Sequence, residues 1–148
     1  MNEQFTWLHI GLGSFHRAHQ AWYLHRLQVM GDKRWSIAAG NIRNDAEHVV
    51  QALSAQKGRY VLETVSPEGV SEYEEITSIQ KLIPWQADLQ PLIAEGADPK
   101  TKVIAFTVTE GGYYLNTSHK LEVNNPDLAA DLKGGCKTIY GVITRILE

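Results

Sequence analysis

Three short stretches carry residues whose types and spacing could do chemistry. In "HIGLGSFHRAH", residues 9–19, Gly11 and Gly13 stand two apart directly after an apolar, β-branched run. A strand that ends in Gly-x-Gly and feeds a helix is what a pyrophosphate needs. The first glycine allows the sharp turn, the second lets main chain approach phosphate oxygens, and the helix start offers unpaired N–H groups with about half a positive charge. The third glycine of G-x-G-x-x-G would fall at residue 16, where the chain has His16. The match is partial, and an ordinary turn is the competing reading. His16 and His19 have a spacing that can bring two ligands to one metal, but no third ligand accompanies them and Arg17 between them repels a cation. They are expected to pack or hydrogen-bond near a helix start, and His9 to be a satisfied core residue.

The second stretch is "AAGNIRND", where a ribose-gripping acid would stand in a dinucleotide site. The strand end reads Ala39-Gly40-Asn41 instead, and Asp45 comes too late. Asn41 could hydrogen-bond a ribose hydroxyl, and Arg43 could stack on adenine or meet a 2′-phosphate, so NAD and NADP both stay open. The third is "TVTEGGYY". Ligands of open α/β sheets gather at the carboxyl ends of strands, which is where Thr109 and Glu110 fall, and Gly111 and Gly112 would admit a nicotinamide ring. The bland alternative is a turn into a hairpin with Glu110 solvated.

The elements that must position these groups follow from periodicity. Residues 5–10 read as a buried strand, and residues 15–30 as one helix with Ala18, Trp22, Leu24 and Leu27 as its buried stripe. Residues 35–39 form a second strand, and Asn44 or Asp45 caps a helix through Val49, Val50 and Leu53. The Pro67-Glu68-Gly69 turn lies between two β-rich runs and predicts a hairpin. A short helix follows within "WQADLQPLIAEGADP", with a glycine after its last turn. Residues 103–108 are nearly all apolar or β-branched, as in a parallel strand buried on both faces. A second hairpin is expected with arms at residues 114–115 and 121–123. From Lys137 onward, Ile139, Val142, Ile143, Ile146 and Leu147 fall on one helical stripe. The pattern is α/β, mainly parallel sheet with inserted β-hairpins. That last helix stops without a cap, which suggests a chain cut from something longer.

Composition narrows the function classes. With 148 residues and 43% hydrophobic content there is material for one core, so one domain is expected. A net charge of −3 gives no basic footprint for nucleic acid. The single cysteine, Cys136, excludes an internal disulfide and fits a reducing, cytoplasmic setting. No leader and no membrane span is read, so neither membrane nor nucleic acid is expected as a partner.

Taken together, "GLGSFHRAH" and "TVTEGGYYL" resemble the long-chain mannitol dehydrogenase family of polyol-specific dehydrogenases, whose signature is G-x-G-x-F-H-R-A-H. Gly11, Gly13, Phe15, His16, Arg17, Ala18 and His19 match it residue by residue. The runs "NIRNDAE", "LETVSPEG" and "PWQADLQPLIAEGADP" are most similar to its D-arabinitol-oxidising members. The resemblance implies a Rossmann-type N-terminal dinucleotide-binding domain over residues 1–148, incomplete here. It implies zinc-independent oxidation of a polyol, D-arabinitol to D-xylulose favoured, with hydride transfer to NAD. Gly11, Gly13, Ser14 and Phe15 would contact the pyrophosphate, and Thr109-Glu110 would lie near the reactive end. The family's catalytic lysine sits in a K-x4-N-x2-H arrangement in a helical C-terminal domain. Lys120 and Asn125 have the spacing, but Leu128 stands where histidine should be, so no catalytic base is expected here. A stand-alone nucleotide-binding or regulatory module, or a methyltransferase using the same loop for S-adenosylmethionine, are the competing readings.

Overall fold

The computed structural model describes residues 3–148. Strand β1 (Phe5–Ile10) lies between two parallel neighbours, β2 (Trp35–Gly40) and β6 (Thr101–Phe106). β2 pairs in turn with β5 (Ile79–Leu82), giving a parallel sheet of order β5-β2-β1-β6. This is the expected α/β Rossmann arrangement, in which chain direction across the sheet reverses next to β1. The helices are α1 (Ser14–Ala18), α2 (Gln20–Val29), α3 (Glu47–Ala55), α4 (Gln90–Ala97), α5 (Pro126–Asp131) and α6 (Ile139–Leu147).

Because side chains alternate along a strand, the sheet buries two different cores. Leu8, Ile10 and Ala38 meet Leu92 and Ile93 of α4 and Val142 and Ile146 of α6 on one face. Ile37 and Ala39 meet Ala21 and Leu24 of α2 and Leu53 of α3 on the other. The expected hairpin is present as β3 (Tyr60–Val65) and β4 (Ser71–Ile76), antiparallel and separate from the main sheet. Glu74 ties it to α2: its carboxylate accepts from Trp22 Nε1 at 2.7 Å and Arg26 Nη1 at 3.3 Å. These donors hold the Glu74 carboxyl below its ordinary range, the Trp22 bond foremost.

Several expectations need correction. Residues 15–30 are two helices that break at His19, where φ is −121° and ψ −82°. The buried residues of α2 are Ala21, Leu24 and His25, whereas Leu27 is exposed. Neither Asn44 nor Asp45 caps α3; Ala46 occupies that position. Gly96 lies inside α4 rather than after it. β6 ends at Phe106 and is only half-buried, because it forms an edge of the sheet. The second hairpin shrinks to a single bridge, Leu115 with Leu121. Leu147 falls off the buried stripe of α6.

A capped joint aims α6 at the carboxyl ends of the strands. The Asp131 carboxylate accepts from the backbone N–H of Lys137 at 2.6 Å and of Thr138 at 2.8 Å, and from the Thr138 hydroxyl at 2.7 Å. Thr138 Oγ1 then accepts from the Tyr140 N–H at 3.2 Å, satisfying an orphan donor of the first turn.

Candidate functional site

A cavity of about 700 Å³ opens where β1, β2 and β6 end, at the reversal of strand order. Its wall takes Gly11 from the β1 turn, Asn41 and Arg43 from beyond β2, Thr107 and Thr109 from beyond β6, and Thr138 from the start of α6. Of the residues singled out by sequence, Gly11, Asn41, Arg43, Thr109, Gly111 and Gly112 are thus brought together. Gly13, Ser14 and Phe15 are exposed and lie outside that wall, as does Glu110, which opens a short 3-10 turn.

The β1 turn has the features a phosphate group requires. Gly11 adopts φ +123°, a conformation that side chains oppose. Gly13 has an ordinary φ of −64°, and a Cβ placed there would meet no protein atom within 4 Å. It is the N-cap of α1, and no side chain caps that helix, so the first-turn amides are not claimed by a side chain. The residues present therefore fit a pyrophosphate.

His16 explains how the turn is supported without a third glycine. That glycine usually lets helix and strand pack closely. Here the gap is filled by two flat rings: His9 of β1 and His16 of α1 stack with centroids 3.5 Å apart and planes 8° apart. Both are fully buried. His9 Nε2 is hydrogen-bonded to Thr107 Oγ1 at 3.1 Å, which joins the underside of the turn to the end of β6. His16 Nδ1 donates to Gln20 Oε1 at 3.1 Å. The other nitrogens, His9 Nδ1 and His16 Nε2, have no protein partner, so His9 is only half satisfied. Burial first, then the neighbouring ring, lowers His9 to a pKa of about 3. Burial lowers His16 to about 4, with Arg17 adding to the shift and the Gln20 bond opposing it. Both rings are neutral at pH 7. His19 lies outside, stacked on Phe15, with Nδ1 bonded to the Phe15 carbonyl at 2.8 Å. Among the described residues no group of three or more His, Cys, Asp or Glu is placed to hold a metal.

Among the wall residues that the motifs do not point to are Asn125, Asp127, Lys137 and Thr138. The first two belong to the start of α5, which was missed although Asn125-Pro126 is a helix-start signal. Asn125 Oδ1 accepts from the Asp127 N–H at 3.0 Å, so Asn125 serves as a cap and not as a partner of Lys120.

Comparison with known proteins gives a consistent result. The model of the mannitol dehydrogenase Rossmann domain matches residues 6–144. The chain is 82% identical, over its whole length, to 32% of a D-arabinitol 4-dehydrogenase of Klebsiella pneumoniae. It is 55% identical over 142 residues to a D-arabinitol 4-dehydrogenase of Ralstonia nicotianae, covering 95% of this chain and 30% of that one. The chain thus spans about a third of the length of these relatives. Among solved structures, a Pseudomonas fluorescens mannitol 2-dehydrogenase in ternary complex with NAD and D-mannitol superimposes with a TM-score of 0.88 at 30% identity. That match covers 99% of this chain and 30% of the other.

Proposed function

Since the chain belongs to the mannitol dehydrogenase family and carries its Rossmann domain, we propose that it is the N-terminal, cofactor-binding part of a polyol dehydrogenase. The cofactor is NAD, and D-arabinitol, oxidised to D-xylulose, is the favoured substrate of the whole enzyme. The observation that carries this reading is the cavity at the carboxyl ends of β1, β2 and β6, entered by the Gly11 turn. The names of its relatives, and the NAD bound to its structural neighbour, support the cofactor and the substrate class.

Gly11, Gly13, Ser14 and Phe15 would hold the pyrophosphate with main-chain amides, and Asn41 would meet the adenosine ribose. Thr109 and Glu110 would flank the nicotinamide, whose chemistry is acceptance of a hydride from the carbinol carbon. The proton of the reacting hydroxyl needs a base of lowered pKa. We place that base outside residues 1–148, in a helical C-terminal domain that would account for the greater length of the relatives. No described helix is long and apolar enough to cross a membrane. With one free, half-buried cysteine, the reading is of a cytoplasmic enzyme.

Titration with NADH, followed by energy transfer from tryptophan to nicotinamide, is expected to saturate, and S-adenosylmethionine is expected not to compete. Absence of saturation with NADH overturns the reading, and binding of the methyl donor alone replaces it. Residues 1–148 by themselves are expected to leave D-arabinitol unoxidised in the presence of NAD. Turnover at an ordinary enzymic rate would put the base within this chain.

A further inference from the structure

Arg43 leaves the end of β2 and reaches two later parts of the chain. Its Nη2 donates to the Tyr114 hydroxyl at 3.3 Å and to the Asp127 carboxylate at 3.4 Å. All three side chains belong to the cavity wall. Asp127 is held in place as the second residue of α5, behind Pro126, with its N–H bonded to the Asn125 cap at 3.0 Å.

This contact bears on how the adenosine ribose would be read. In doubly wound dinucleotide sites an acid at the end of the second strand takes the ribose hydroxyls, and a nearby arginine accommodates a 2′-phosphate. Here the strand ends in Ala39-Gly40-Asn41 with Arg43 just beyond, so local sequence alone leaves room for the phosphate as well as the hydroxyl. The fold brings the missing negative charge from 84 residues downstream. A 2′-phosphate drawn to Arg43 would sit beside the Asp127 carboxylate, which repels it and offsets part of the guanidinium's charge. Asp45 adds a second carboxylate to the same wall, and Lys137 is its other cation.

Resting on the dinucleotide reading above, we infer that Asp127, by occupying Arg43, makes this site select the 2′-hydroxyl cofactor NAD over the 2′-phosphorylated NADP. Asp127 is the specificity-determining residue, and Arg43 is the phosphate receptor whose charge it offsets.

The test measures dissociation constants for NAD and NADP on the purified protein by calorimetry and compares their ratio between variants. D127N is expected to move the ratio towards NADP by about tenfold or more, the scale of one charge-assisted contact released and one like charge removed. Asp127→Ser, which keeps a small polar group at the helix start, is the second variant and is expected to move it the same way. The double variant R43A/D127N is expected to lose the gain. A ratio unchanged in D127N and Asp127→Ser, with NAD still bound, overturns the inference and leaves the dinucleotide reading standing. An equal gain in the double variant overturns Arg43 as receptor. Failure of the unsubstituted protein to bind either dinucleotide overturns both.

Discussion

Between pH 7 and pH 4.5 the domain is expected to lose about 5 kcal/mol of folding stability to the two rings of His9 and His16 alone. Both are buried and neutral in the native state, with pKa values lowered from 6.5 to about 3 and about 4. In the unfolded chain they take up protons below pH 6.5, and in the folded one they do not. The unfolded state therefore binds more protons as the pH falls, and stability drops through the window from 6.5 down to the folded values. Each ring costs about 1.4 kcal/mol per pH unit there. Since a domain of this size has about 5–15 kcal/mol in all, that loss removes about a third of it or more. Urea denaturation at half-unit pH steps measures this. His16→Phe keeps a flat ring against His9 and removes one titration, so the slope should fall by about half. A stability that stays level down to pH 5 would show that the rings protonate in place.

The second large effect separates the two glycines of the β1 turn, Gly11 and Gly13. Gly11→Ala forces a side chain into φ +123°, a cost of order 1–3 kcal/mol, and adds a methyl group to the cavity wall. It should lower both thermal stability and NADH affinity. Gly13→Ala meets neither obstacle, because φ is −64° and the new methyl points into open space. Its melting temperature is expected to stay within a few degrees of the parent, while NADH affinity falls about tenfold or more, because on the proposed reading phosphate oxygens would approach main chain through that open space. If Gly13→Ala bound NADH as tightly as the parent, the pyrophosphate would not lie there.

What the sequence made legible and what it hid have physical reasons. β1 and β2 were readable because their apolar runs end at glycine, and the β3–β4 hairpin because Pro67-Glu68-Gly69 marks its turn. The break between α1 and α2 was not readable, since neither glycine nor proline causes it. The His19 ring and the His19 N–H both use the Phe15 carbonyl, and no local pattern announces such a competition. β5 was not distinguished as a strand of the main sheet because it is short and at an edge, with Gln80 and Lys81 exposed. β6 read as buried on both faces because hydrophobicity records what a strand can bury, not what covers it. Of the site, the half next to Gly11 and β2 was visible as motif. Asp127 and Thr138 were not, because their approach to Arg43 and the strand ends depends on α5 and α6 being folded back across the sheet.

The open flank of β6 has a consequence for how grip is shared along a bound ligand. No described strand continues the sheet past it, so the purine end of a coenzyme would be enclosed by the β2 and α6 sides while the redox end looks out onto water. ADP ought then to rival the complete coenzyme in a displacement titration against these residues.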